Sequence, residues 1–414
     1  MLKFTLFYSL ILMLPLSTVA QRTETTAAAS AAPITIGHSH KLHSKVLNED
    51  RPYLVYLPES YTDKTFAPQR YPVLYLLDGE AHFHSATGVV QFMGAGTNGN
   101  IQIPEHIVVA IPNTNRSRDL TPTHSTKGLD GKEVPAFKET GGGEKFLRFI
   151  KEELVPKIES DYRTAPHRTL VGHSFGGIFV LDAFLREPSF FNAYISMDPS
   201  VWWNDKALLK QAQRELPMMK DLRASVYISA ANNPPFGKMD MKGASDAIRD
   251  LAGLFKASQS AGLRSKHEYF ASEDHGSVPL LSLYNGLLFV FDGYKPRVTD
   301  FIDNPSGMKV HFKNASERFG YEILPPESLV NMLGYVLMMQ LGEVDKGLEF
   351  FKINVSLYPG SWNVYDSLAA AYLKKGETKL AVENYRKSLD LNPNNNGAKE
   401  ALKKLEQSEK TGPK

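Results

Sequence analysis

Leu170-Val171-Gly172-His173-Ser174-Phe175-Gly176-Gly177-Ile178 carries the signal from which the fold can be read. An apolar stretch ends at Val171, glycines stand at 172, 176 and 177, and a helix-like run continues to 187. The pattern is G-x-S-x-G between a strand and a helix. That context puts Ser174 on a tight turn above the edge of a sheet, where a side chain at Gly172 or Gly176 would meet neighbouring backbone. The same turn offers the N–H of Phe175, at a helix start, to a developing negative oxygen. Ser174 is therefore the candidate nucleophile for acyl transfer.

Around this turn, strand-length apolar or β-branched segments recur at 53–57, 73–77, 107–111, 169–171, 193–197, 225–230 and 266–270, bounded by Pro, Gly, Asn, Asp or Ser. Runs with apolar residues at three- and four-residue spacing lie between or after them, at 143–162, 177–187, 244–261 and 280–291. Strands alternating with helices predict an α/β domain over 34–298, with a mostly parallel sheet covered on both faces.

A nucleophilic serine needs a base, and His275 sits in Ser272-Glu273-Asp274-His275-Gly276-Ser277-Val278, after the last expected strand and before the last large helix. The chain order serine, acid, histidine puts a third member between 174 and 275, after strand 225–230. That turn reads Ala231-Asn232-Asn233, without a carboxylate. Asp240 is the acid selected; Asp246 lies further on, and Asp274 is too close in sequence to His275 to reach its far nitrogen. A serine–histidine pair without an acid, or one steadied by Asn232, stays open, since a missing acid slows this chemistry without abolishing it.

After about Pro325 the pattern becomes helix upon helix, with a 34-residue offset. Gly342-Glu343 and Gly376-Glu377, Leu357 and Leu391, Pro359 and Pro393 all keep it. Residues 327–360 and 361–394 read as two tetratricopeptide units, with a covering helix at 396–407, so a small all-α module is expected over 327–410 after a connecting segment at 299–326. Two such units are too few to stand alone, which points to packing on the α/β domain and leaves the repeats as the surface for any protein partner.

The first twenty residues, a lysine at position 3 followed by an apolar run from Phe4 to Leu16 and small residues to Ala20, read as a cleaved signal peptide. Residues 21–33, rich in Thr, Ala and Ser, read as a disordered linker. The expectation is export to the periplasm or beyond, with no stable membrane insertion after cleavage. The 414-residue chain has no cysteine, which excludes disulfides and thiolate chemistry. Its 47 basic and 45 acidic side chains leave +2, without the concentrated basic field that nucleic acid requires. No metal-ligand spacing is evident: His38, His40 and His43 lie near the expected disordered start, and His82 and His84 flank an aromatic in a loop. No cofactor is called for.

Three further stretches carry a family resemblance: Tyr75-Leu76-Leu77-Asp78-Gly79-Glu80, Pro112-Asn113-Thr114-Asn115-Arg116-Ser117-Arg118-Asp119-Leu120-Thr121-Pro122, and Ser200-Val201-Trp202-Trp203-Asn204. With the serine motif, residues 35–295 resemble the esterases that include enterochelin and salmochelin esterases, and more distantly esterase D and feruloyl esterases. The resemblance implies an α/β-hydrolase fold and metal-free cleavage of a small-molecule or glycan-linked ester. It also implies a second oxyanion donor near Gly79 and Glu80, Arg116 beside the site, and Trp202 and Trp203 lining a pocket. Arg116 could equally serve a buried ion pair, and the tryptophans the core. A trilactone siderophore and an acylated polysaccharide both remain as substrates. An interaction protein on a degenerate hydrolase platform is the competing class, suggested by the missing carboxylate after strand 225–230 and opposed by the intact serine turn and His275.

Overall fold

The computed structural model describes residues 32–95, 100–235 and 239–410, the side chains of 408–410 excepted. The expected signal peptide and nearly all of the expected linker lie outside these residues. From Ile36 onward the chain forms one compact unit.

Eight strands form one sheet: β1 (His38–Ser44), β2 (Glu49–Tyr56), β3 (Tyr71–Leu77), β4 (Ile107–Ile111), β5 (Thr164–His173), β6 (Ala193–Met197), β7 (Ala224–Ala231) and β8 (Leu263–Phe270). Their order is β1-β2-β4-β3-β5-β6-β7-β8. The β1–β2 and β2–β4 pairs are antiparallel, and every other pair is parallel. Strands β3, β4, β6 and β7 are buried along their whole lengths, because helices cover both faces.

Strand β1 departs from the sequence expectation. His38, His40 and His43, expected near the disordered start, belong to a polar edge strand that was not among the expected strands. A strand paired on one side only needs no continuous apolar face, so its sequence resembles a loop.

The helices are α1 (Gly79–Gly94), α2 (Arg116–Leu120), α3 (Gly143–Phe149), α4 (Val155–Asp161), α5 (Phe175–Arg186), α6 (Trp203–Glu215), α7 (Met241–Ala257) and α8 (Val278–Val290). They are followed by α9 (Thr299–Ile302), α10 (Ser306–Phe319), α11 (Glu327–Tyr335), α12 (Val344–Leu357), α13 (Trp362–Lys375), α14 (Thr378–Leu391) and α15 (Asn396–Lys410). The helix expected over 143–162 is α3 and α4 joined by a π turn at Ile150–Leu154, which ends two residues before Pro156, a residue with no N–H to give the ladder. His82 and His84 lie on α1, not in a loop.

One apolar cluster fills the sheet face under α3, α5, α6 and α7. The other joins the opposite face to α1, α8 and α10 and continues into α11 and α12 through Leu329, Val330, Leu333 and Phe350. The first C-terminal helices are thus packed into the same core as the sheet. Met308, Phe312, Ala315 and Phe319 make α10 part of that core, so the segment expected to connect two modules contains a buried amphipathic helix.

Three parallel strands end at the same edge of the sheet, β3 at Leu77, β5 at His173 and β6 at Met197. The next residues, Asp78, Ser174 and Asp198, all adopt positive φ, 52°, 61° and 41°. Non-glycine residues rarely hold this conformation, and in such a sheet ligands bind outside the carboxyl ends of the strands.

Candidate active site

Ser174 links β5 to α5 with φ 61° and ψ −116°, a strained geometry costing about 1–3 kcal/mol. The local sequence makes room for it. A Cβ on Gly172 would overlap the carbonyl of Gly176, and one on Gly177 would stand 2.9 Å from Cα of Pro199. The backbone is fixed by Ser174 N–H donating to the Met197 carbonyl at 3.0 Å and by Ser200 N–H donating to the Ser174 carbonyl at 3.1 Å.

His275 approaches on the loop between β8 and α8. Its Nε2 is 3.0 Å from Ser174 Oγ, and its Nδ1 is 2.6 Å from Asp198 Oδ2. Asp198 is almost fully buried, whereas the His275 side chain is 46% exposed. With a carboxylate at Nδ1, the neutral ring carries its proton there and leaves Nε2 free to accept the serine proton.

The acid that meets His275 follows β6, one strand earlier than expected, and Asp240 is corrected accordingly. Asp240 is the N-cap of α7, its Oδ1 accepting from Gly243 N–H at 2.8 Å. The last residue of β7 and the turn after it supply donors in place of an acid: Ala231 N–H reaches Asp198 Oδ1 at 2.9 Å, and Asn233 Nδ2 reaches Asp198 Oδ2 at 2.9 Å. Burial alone would raise the carboxyl's pKa, but hydrogen bonds from His275, Ala231 and Asn233 outweigh it and hold Asp198 below the ordinary carboxylate value. Asn232 is not one of these donors; its side chain caps the Ala271 carbonyl. The sequence signal for Asp198 was its place one residue past an apolar strand at the edge that bears Ser174.

Phe175 opens α5, and Gly79 and Glu80 open α1, so their N–H groups have no acceptor within those helices. The two helix starts adjoin, since a Cβ on Gly176 would stand 3.3 Å from Asp78 Oδ2. The Glu80 carboxylate is occupied by Asn113, through its N–H at 3.1 Å and its Nδ2 at 2.7 Å.

Arg116 forks onto Asp78, Nε to Oδ1 at 2.6 Å and Nη2 to Oδ2 at 3.0 Å, and Nη2 also meets the His173 carbonyl at 3.3 Å. It ties the end of β3 to the end of β5, the ion pair that the sequence offered beside substrate contact, and its side chain, 38% exposed, lies over the Phe175 ring at 5.5 Å from the centroid. Against burial, which acts upward, this fork keeps the Asp78 carboxyl below its usual range.

A cavity of about 530 Å³ opens at Ser174 and His275, walled by Phe175, Trp202, Val134, Phe137, Met241 and Ile248 among others. Trp202 is in this wall. Trp203 is not: it is fully buried, its Nε1 donating to the Thr123 carbonyl at 3.0 Å. An indole facing the core with its N–H satisfied is a packing element.

Two residues that sequence reasoning missed touch the centre. Ser200 Oγ lies 3.2 Å from Ser174 Oγ. The His173 ring lies 4.4 Å from that of His275. Burial, then the neighbouring His275 and His82, push the His173 pKa down to about 3, so it stays neutral beside the base. Among the described residues, no group of three or more His, Cys, Asp or Glu is placed to hold a metal ion.

Residues 44–272 match the family model described as "Putative esterase". The ferri-bacillibactin esterase BesA of Bacillus subtilis (strain 168) is 32% identical over 292 residues, 67% of this chain and 98% of that protein. The siderophore triacetylfusarinine C esterase of Aspergillus fumigatus is 26% identical, over 63% of this chain and 96% of its own length. The crystal structure of an IroE-like serine hydrolase from Shewanella oneidensis superimposes with a TM-score of 0.69 at 31% identity, covering 78% of this chain and 99% of that one. The chain belongs to this esterase family and is a carboxylic ester hydrolase.

Proposed function

We propose that the protein is a serine esterase of the α/β-hydrolase type that opens the ester bonds of a siderophore, working through Ser174, His275 and Asp198. The contact series Ser174 Oγ to His275 Nε2 at 3.0 Å and His275 Nδ1 to Asp198 Oδ2 at 2.6 Å carries the chemical part of this reading. The substrate class rests on the relatives, whose names specify siderophore esters.

In the forward step His275 Nε2 takes the Ser174 proton while Oγ attacks the ester carbonyl. The oxyanion is held by the N–H of Phe175 and those of Gly79 and Glu80. Collapse expels the alcohol, which receives the proton from His275, and water then cleaves the acyl-enzyme by the same route. Asp198 remains ionised throughout and stabilises the transient imidazolium.

The two C-terminal hairpins, α11 with α12 and α13 with α14, follow the 34-residue offset, and we read them as tetratricopeptide units that stiffen the esterase. Export follows from the reading of the first twenty residues. No described helix is long and apolar enough to cross a membrane.

Labelling by a fluorophosphonate probe tests the centre: label on the wild type and none on Ser174→Ala or His275→Ala is expected, and an unlabelled wild type overturns the reading. Product analysis with a catecholate trilactone, a hydroxamate triester and a feruloylated glycan tests the substrate. Preference for the glycan would reject the siderophore assignment.

A further inference from the structure

At the amino ends of β3, β4 and β5, the edge opposite the catalytic serine, lies a second cavity of about 680 Å³. Strand β5 is 10 residues long, so the two sites stand roughly 30 Å apart along it. The floor comes from the sheet domain through Glu105 and Ile101. The roof comes from the C-terminal part through Tyr294, Tyr321, Leu324 and Met332. Leu324 and Met332 are 39% and 44% exposed, apolar surface that folding has left open. The volume falls in the range of small-molecule sites.

The polar atoms in this cavity are incompletely satisfied. Glu105 Oε2 accepts from Ser60 Oγ at 2.6 Å and more weakly from Gln69 Nε2 at 3.5 Å, while Oε1 has no partner among the described residues. The phenol hydroxyls of Tyr294 and Tyr321 likewise have no partner there. Arg70 stands on the rim, but its Nη1 is directed to the Thr164 carbonyl at 3.3 Å. Glu322 also lines the rim, so the balance of charge is negative. Burial, with Glu59 adding to it, pushes the Glu105 carboxyl above its ordinary value, the condition of a carboxylate lacking a cation.

We propose that this cavity is a second binding site, distinct from the catalytic centre, for a small aryl-alkyl ammonium compound. The ammonium would sit at Glu105 Oε1 and the faces or hydroxyls of Tyr294 and Tyr321, with the aryl end against Ile101, Leu324 and Met332. A carboxylate among tyrosines suits an organic cation through charge and cation–π attraction together. Because floor and roof come from different parts of the chain, a bound ligand clamps the C-terminal helices to the sheet domain.

The test is calorimetric titration of the full chain with 2-phenylethylamine, using 3-phenylpropionate as the anionic counterpart. Saturable binding of the amine at millimolar or lower concentration is expected, with none of the anion. Glu105→Gln should weaken it by about tenfold or more, and Met332→Trp should obstruct it by filling the mouth. Both variants should hydrolyse p-nitrophenyl acetate as the wild type does, which reports that they are folded and that the catalytic centre is separate. Absence of saturable amine binding to the wild type, equal binding of the anion, or binding unchanged in both variants overturns the proposal. None of these results bears on the siderophore reading, which is decided at Ser174.

Discussion

Asn233 Nδ2 and His275 Nδ1 donate to the same oxygen of Asp198, at 2.9 and 2.6 Å. The turn after β7, which carries no acid, therefore orients an acid that belongs to β6. Asp198→Asn should keep the shape but lose the fixed tautomer, lowering kcat on an aryl ester by about 10⁴-fold. Asp240→Asn should leave kcat within about twofold, because asparagine caps a helix about as well as aspartate. Steady-state kinetics of the two variants side by side decides the matter; a slower Asp240 variant would reject Asp198.

Removing one donor to Asp198 has a calculable sign. Asn233→Ala leaves the carboxylate less well solvated, so the Asp198 pKa rises and the ionised acid is lost at a higher pH than in the wild type. That moves the acid limb of kcat/KM to higher pH, by about one unit or less. A pH–rate profile unmoved on that side would mean that Asn233 only fills space.

His106 and His167 are buried and His173 is half-buried, none of them in an ion pair among the described residues. Burial pushes the pKa of His106 down to about 4 and those of His167 and His173 to about 3. In the unfolded chain each takes a proton near pH 6.5. Their stability contribution is therefore full above that pH and falls as pH drops from about 6.5 towards 3–4, where the unfolded state binds more protons. Each such histidine can cost up to about 1.4 kcal/mol per pH unit in that window. Thermal unfolding should show a steep loss of Tm between pH 6 and 4. His167→Phe should flatten it, since His167 already packs among the rings of Phe291, Phe319 and Tyr321. An equally steep curve in that variant would place the acid sensitivity elsewhere.

What the sequence made legible was local. The turn at Ser174 announces itself through glycines whose missing side chains are required within a few residues, and His275 through its place between a strand and a helix. Asp198 was hidden because the partner of His275 Nδ1 is set by which strand end lies nearest in the folded sheet, and adjacency of β6 to β7 is a property of strand order. Strand β1 was hidden because an edge strand of polar residues has no apolar alternation to display. Arg116 was visible as functional in kind, but whether its fork meets a substrate or Asp78 depends on α2 returning over the ends of β3 and β5.

The serine turn tolerates no added atom where Gly172 and Gly176 meet, and this gives a contrast between two single-methyl changes. A Cβ at Gly172 would overlap the Gly176 carbonyl, in the backbone that places the Phe175 N–H, whereas Gly88, mid-way along α1, has nothing within 4 Å of the same atom. Gly172→Ala should therefore displace the start of α5 and remove both fluorophosphonate labelling and turnover, even if the protein stays folded. Gly88→Ala should leave activity unchanged and gain about 0.5–1 kcal/mol, because alanine loses less backbone entropy in a helix. Retained labelling in Gly172→Ala would show that the turn can relax without moving the nucleophile, and the strained backbone at Ser174 would then have to be explained by something other than close packing of those glycines.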